Sequence, residues 1–225
     1  MTWVRRMSGE LMITAASLSG MTLPSWASHL ESKLAPPPLL LVQAFVDTRD
    51  LDLHTDVLAH ADEARAWLAG AGLRDPDLPG FDADLRLARE ARESLRAMIG
   101  CNTGGPPLTE AERRPLEQVT SQAPARLGVT ADGRVRLGTA GQGRLADGLA
   151  GLLLAVRDAQ ADGSWDRLRL CGNPDCRWAF YDGSRGRQGA WCEMASCGNR
   201  LKNRSLRARR AEAVIQRPHG ASTAG

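Results

Sequence analysis

Cys171, Cys176, Cys192 and Cys197 fall within 27 residues of a 225-residue chain that holds only five cysteines. Their spacing is C-x4-C-x15-C-x4-C. Each close pair can grip one metal ion from a knuckle turn, and the 15-residue arm brings the second pair back to face the first. Four thiolates in a tetrahedron suit zinc, which has no geometric preference of its own. Gly172, Asn173 and Pro174 inside the first knuckle, and Gly198 after the last cysteine, let backbone N–H groups point at sulfur. Four protein ligands leave no open position, so the expected role is one structural zinc ion and not a catalytic one. An iron–sulfur cluster, two disulfides or four inert thiols are the alternatives. A secreted disulfide scaffold would spread its cysteines, so the clustering points to a reducing, cytoplasmic setting. A segment of this size has too little apolar surface to fold unaided, which makes a fold-supporting metal reasonable. Trp178, Phe180, Tyr181 and Trp191 are expected to form its small core, with base stacking as the other use of those rings.

The charge distribution names a partner. Residues 171–217 carry ten Lys/Arg against four Asp/Glu, whereas the rest of the chain carries 19 against 22. A near-neutral body with a cationic end suits a phosphate-bearing partner. Gly198-Asn199 can cap a helix over residues 200–216. Arg200, Arg204 and Arg207 then share one face, flanked by Lys202, Arg209 and Arg210, while Leu201 and Ala208 sit opposite. The candidate nucleic-acid contacts are Arg177, Arg185, Arg200, Lys202, Arg204 and Arg207, with DNA the expected partner. The plainer account is a solvated charged helix, or an adaptor that docks protein or RNA. Spacing does not separate phosphate gripping from base reading.

No other constellation suggests chemistry. His29, His54, His60 and His219 are scattered, without partner clusters. Asp47, Asp50, Asp52 and Asp56 form an acidic patch, read as a solvated loop and helix start in preference to a cation site. Cys101 stands alone, a bystander thiol before a redox sensor. Gly138, Gly141 and Gly143 do not follow a strand and open a helix at the spacing a dinucleotide fold needs. The chain is therefore not expected to be an enzyme, and a run of 18 apolar residues, which would signal a membrane span, is missing.

The elements that must carry the cysteines read from left to right as follows. Arg5-Arg6, an interrupted apolar stretch and Ala27-Ser28 loosely imitate a signal peptide, but residues 1–35 are read as a poorly ordered extension. After Pro36-Pro37-Pro38, the apolar run 39–46, broken only by Gln43, is a buried strand or a buried helix. Residues 54–69 and 83–99 carry helical apolar stripes that stop at Gly70 and Gly100. Thr109 with Glu112 is a capping box, and Pro115 should kink or shorten the helix it opens. Residues 126–130 and 134–138 form a hairpin about Asp132-Gly133. Residues 145–159 make the most apolar helix, and 167–170 a short strand leading to Cys171. The fold class is α+β, mostly α: a helical domain with a small hairpin (36–165), a four-cysteine finger ending in a basic helix (166–216), and a flexible tail (217–225).

Cys171, Asn173-Pro174-Asp175-Cys176-Arg177-Trp178, Phe180-Tyr181-Asp182 and Ser184-Arg185 precede Trp191-Cys192, Met194, Cys197-Gly198-Asn199-Arg200, Lys202 and Arg204. This segment of about 40 residues resembles the CGNR zinc finger. Ahead of it, Gln43-Ala44-Phe45-Val46-Asp47-Thr48 and the helix ending Trp67-Leu68 resemble the start of the ABATE domain. Asp47 stands where that family more often has Asn. Gly186 and Gly189-Ala190 stand where the finger tends to carry Asn and Arg, which shifts the cationic task to the terminal helix. The resemblance implies a bacterial stress-induced transcription regulator whose finger binds DNA. Its first domain would sense a small molecule, bind a protein or dimerise.

Overall fold

The computed structural model describes residues 23–30, 33–200 and 203–204. The run after the prolines resolves as a helix, α1 (Leu39–Val46), in which every residue but Leu41 is buried. A helix apolar on all sides has to be wrapped by others. Around it lie α2 (Ala61–Gly70), α3 (Phe81–Cys101), α4 (Glu110–Gln122) and α5 (Leu145–Asp162). Their buried stripes, including Leu68, Leu95, Ile99, Val119 and Leu149, form one hydrophobic cluster with α1. The fold is mostly α with small hairpins, as the sequence indicates.

The capping box is present: Thr109 accepts from the Glu112 N–H, and the Glu112 carboxylate accepts from the Thr109 N–H at 2.8 Å. Pro115 does not end α4, which runs on to Gln122. The hairpin joins β3 (Arg126–Val129) to β4 (Val135–Gly138), pairing Leu127 with Leu137 and Val129 with Val135. Gly133 takes φ 78° in its turn, a left-handed conformation that glycine adopts without strain.

Two expectations need correction. Residues 54–60 are not the start of α2: β1 (Arg49–Asp50) pairs with β2 (Thr55–Asp56) there, and His54 takes φ 55° between them. The cause is long-range. The Asp56 carboxylate receives both Nη atoms of Arg92 at 2.6 and 2.8 Å, and Arg92 is buried in the helical core. Residues 23–30 do not form a loose extension either. Trp26, Ala27 and Leu30 pack with Leu40 and Ala44, and the Trp67 indole donates to the Trp26 carbonyl at 3.0 Å. The rest of the expected extension, residues 1–22 and 31–32, lies outside the described residues, as do the tail and most of the basic helix.

Beyond a short turn at Trp165–Arg167, β5 (Leu168–Leu170) pairs antiparallel with β6 (Ala179–Tyr181). Leu168, Leu170 and Ala179 belong to the same hydrophobic cluster as the helices. Among the described residues no helix is long and apolar enough to cross a membrane.

Candidate metal centre

The loop bearing Cys171 and Cys176 spans β5 and β6, so whatever fixes those strands fixes the first knuckle. Two side chains one turn apart on the C-terminal side of α1 do this. Gln43 donates to the Ala179 carbonyl at 3.1 Å and accepts the Ala35 N–H at 2.8 Å, while Asp47 accepts the Ala179 N–H at 2.9 Å. From α3, Arg96 donates to the carbonyls of Val46, Arg49 and Arg177. The solvated reading of the acidic patch fails at Asp47, which is buried and bound to the Ala179 N–H. The i, i+4 spacing of Gln43 and Asp47, which puts both on one helix face, is the local signal for the pair.

The knuckle is built from backbone bonds. Asn173 accepts the N–H groups of Cys176 and Arg177 on its carbonyl, both at 3.0 Å, and the Asp175 N–H on its side-chain oxygen. Its Nδ2 donates to Cys197 Sγ at 3.7 Å, which ties the two cysteine pairs together. Gly172 runs against Trp191, where an added Cβ would lie 3.0 Å from the ring and 3.1 Å from the Ala190 carbonyl. The long arm is organised by Asp182, whose carboxylate accepts from the Ser184 N–H, the Ser184 hydroxyl and the Gly189 N–H. Burial raises the pKa of Asp182, but these bonds outweigh it and hold the carboxyl below its usual range. A Cβ on Gly189 would fall 2.9 Å from that carboxylate, which accounts for a glycine there.

The four cysteine Sγ atoms all lie within 4.8 Å of one another. Cys176–Cys192 and Cys192–Cys197 are each 3.8 Å apart, and all four thiols are free. A disulfide would need about 2.05 Å. A tetrahedron of thiolates at about 2.3 Å from zinc has edges of about 3.8 Å, which matches. In the absence of a cation the four sulfurs cannot all ionise. Hydrogen bonds from the Cys176 and Cys192 thiols hold Cys171 far below the usual thiol range, and the same contacts push Cys192 up to about 12 and Cys176 higher still. A divalent ion removes the conflict by replacing those protons. The cysteines form the site of one structural zinc ion.

The expected aromatic core is divided. Trp178 and Trp191 pack on the sulfur cluster, but Tyr181 joins the helical core and Phe180 is buried beneath Lys33. The division follows from β6, which turns one face to the helices.

The candidate nucleic-acid contacts do not share one place. Arg177 takes φ 49°, and its guanidinium lies by Gly100 of α3, in a charged hollow with Arg92 and Arg96. Arg185 is exposed on the arm. Arg200 and Arg204 follow the helical turn Met194–Gly198, with side chains 51% and 62% exposed. Arg200 grips both oxygens of Asp52, and Arg204 pairs with Asp175 at 2.9 Å. Lys202 and Arg207 lie outside the described residues. His29 donates to the Ala44 carbonyl at 3.1 Å, and burial lowers its pKa.

A family model described as "CGNR zinc finger" matches residues 167–210. A second, the ABATE domain, described as "Putative stress-induced transcription regulator", matches residues 39–162. No curated protein matches the chain. With more than half its length in the second match and the finger directly after it, the chain belongs to the ABATE family and carries a CGNR zinc finger on its C-terminal side.

Proposed function

We propose that the protein is a zinc-dependent DNA-binding transcription regulator that acts by binding and not by catalysis, its helical domain sensing a ligand or dimerising. The observation that carries this reading is the position of Arg200 and Arg204, exposed immediately after the turn that Cys197 anchors. The metal fixes where that turn points, and hence where the cationic segment starts. Arg204 rests on the exposed Asp175 and Arg200 on the half-buried Asp52, and an exposed ion pair such as the first contributes about 0–1 kcal/mol. A phosphate can therefore replace Asp175 at little cost, and a charged helix near a zinc platform suits a duplex backbone or major groove.

The test is a gel-shift titration of zinc-loaded protein on mixed-sequence duplex DNA at several salt concentrations. Log affinity should fall steeply with log salt. Replacing Arg200, Arg204 and Arg207 by Ala should abolish the shift with zinc retained, or flatten the salt slope by about 3 units if weak binding persists. Wild-type protein that holds zinc yet shifts no duplex would assign the cationic segment to an acidic protein or to RNA instead.

A further inference from the structure

Between the acidic loop after α1 and the zinc turn lies a cavity of about 380 Å3 that reaches Cys176, Cys192 and Cys197. Four carboxylates border it: Asp47, Asp50 and Asp52 from the helical body, and Glu193 from the finger. Arg200 is the one guanidinium among its described lining residues. A zinc tetrathiolate adds a formal charge of about −2 at its floor. Leu53, Val57 and half-buried Trp178 supply apolar wall.

Asp47 points to a ligand independently of this charge. It is 2% exposed, and its Oδ1 is used by the Ala179 N–H. Its Oδ2 has no hydrogen-bond partner, one of only two such buried side-chain atoms among the described residues. Ionised, that oxygen lacks a donor; protonated, it lacks an acceptor. Buried polar atoms are nearly always satisfied, so each exception calls for a partner. At the mouth, Arg200 Nη1 sits 2.7 and 2.8 Å from the two oxygens of Asp52, so this carboxylate already receives a nitrogen cation.

We infer that this cavity binds a small organic cation whose ammonium group is received by Asp47 and Asp52, whose hydrocarbon part lies against Trp178, and whose entry displaces Arg200 from Asp52. An ammonium carries three donors on a compact head, so it can serve two separate acceptors, whereas a planar guanidinium fork matches a single carboxylate. A bare metal ion has no use for Leu53, Val57 and Trp178. It would also lose Asp50 Oδ1, which is committed to the N–H groups of Asp52 and Leu53 at 2.8 and 2.9 Å. Displacement makes the site a switch: the same Arg200 either closes the cavity or is free for another anion. That last consequence rests on the DNA reading above, whereas the site itself does not.

The experiment is calorimetric titration of the full-length, zinc-loaded protein with 1,4-diaminobutane, and separately with Mg2+. The diamine should saturate one site per chain. Asp47→Asn keeps the shape and the oxygen for Ala179, and Asp52→Asn removes a carboxylate at the mouth; each should weaken binding at least tenfold with zinc content unchanged. Arg200→Ala should tighten binding, because it removes the internal competitor, and a merely structural role for Arg200 predicts no such gain. If Asp47→Asn fails to fold, Asp52→Asn and Arg200→Ala still decide. Absent diamine saturation, equal binding by wild type and the Asn variants, an Asp47-dependent Mg2+ isotherm in place of a diamine one, or an Arg200→Ala variant no tighter than wild type would each overturn the inference. No nucleic acid enters these titrations, so failure of the DNA reading shows up separately, in the gel shift.

Discussion

Asn173 links a sulfur of the second cysteine pair to the turn that carries the first. Its Nδ2 reaches Cys197 Sγ while its carbonyl shapes the first knuckle, so one residue joins both halves of the centre. Hydrogen bonds of this kind orient a ligand and lower its charge density. Asn173→Ala leaves four thiolates and the backbone turn but removes the link. Zinc affinity should fall about 10–100-fold, measured by competition with a chromophoric chelator. An unchanged affinity would mean that the backbone N–H groups alone set the site. At this scale the sequence was readable where chemistry depends on residue type and local spacing. The four cysteines and the turn-forming Asn173 could be named, and their Sγ atoms do converge. The hidden part was long-range: the grip of Gln43 and Asp47 on Ala179 joins positions 136 and 132 residues apart, and no local pattern encodes it.

At the scale of elements, α5 contains a contrast between two glycines. A Cβ on Gly148 would lie 2.2 Å from the Leu73 carbonyl oxygen, and that backbone cannot swing aside. One on Gly151 would meet nothing within 4 Å. Alanine favours a helix over glycine by about 1 kcal/mol in both places. At Gly151 that gain stands alone, so Gly151→Ala should stabilise the fold by about 0.5–1 kcal/mol. At Gly148 the clash dominates, and Gly148→Ala should destabilise it by about 2–4 kcal/mol. Urea denaturation of both variants checks the signs; two stabilised variants would show that α5 can move off Leu73. Elements defined by their own residues, such as the helix capped by Thr109 and the hairpin turning at Asp132-Gly133, were legible because both signals are local. The start of α2 was not, because Asp56 is drawn out of the helical pattern by Arg92, 36 residues away. The packing of residues 23–30 is hidden from local pattern for a similar reason: the partners of Trp26, namely Leu40, Ala44 and Trp67, come later in the chain.

For the whole molecule, the question is whether the finger is a separate body. Its knuckle loop leaves β5 and returns on β6, and both strands contribute side chains to the helical cluster. Gln43, Asp47 and Arg96 hold that loop's ends from α1 and α3. An appended module would share few contacts with the rest and could unfold by itself. Here loss of the metal removes the tie between residues 171–178 and 190–198 and slackens β5–β6, whose burial the helices also need. Zinc should therefore stabilise the helices as well as the finger. Chelation should lower the midpoint of thermal unfolding by roughly 10 °C, since about 3 kcal/mol corresponds to that shift in a chain of this length. Helical circular dichroism and tryptophan fluorescence should give one coincident transition in both metal states, because coincidence of probes is the mark of a cooperative unit. A helical transition that ignores the chelator, while fluorescence loses its own, would instead make the finger an independent module. In the coupled case, anything that strains the zinc turn is felt at α1, and a ligand held by Asp47 at the end of α1 or by Asp52 in the loop beyond it has a direct physical route to Arg200.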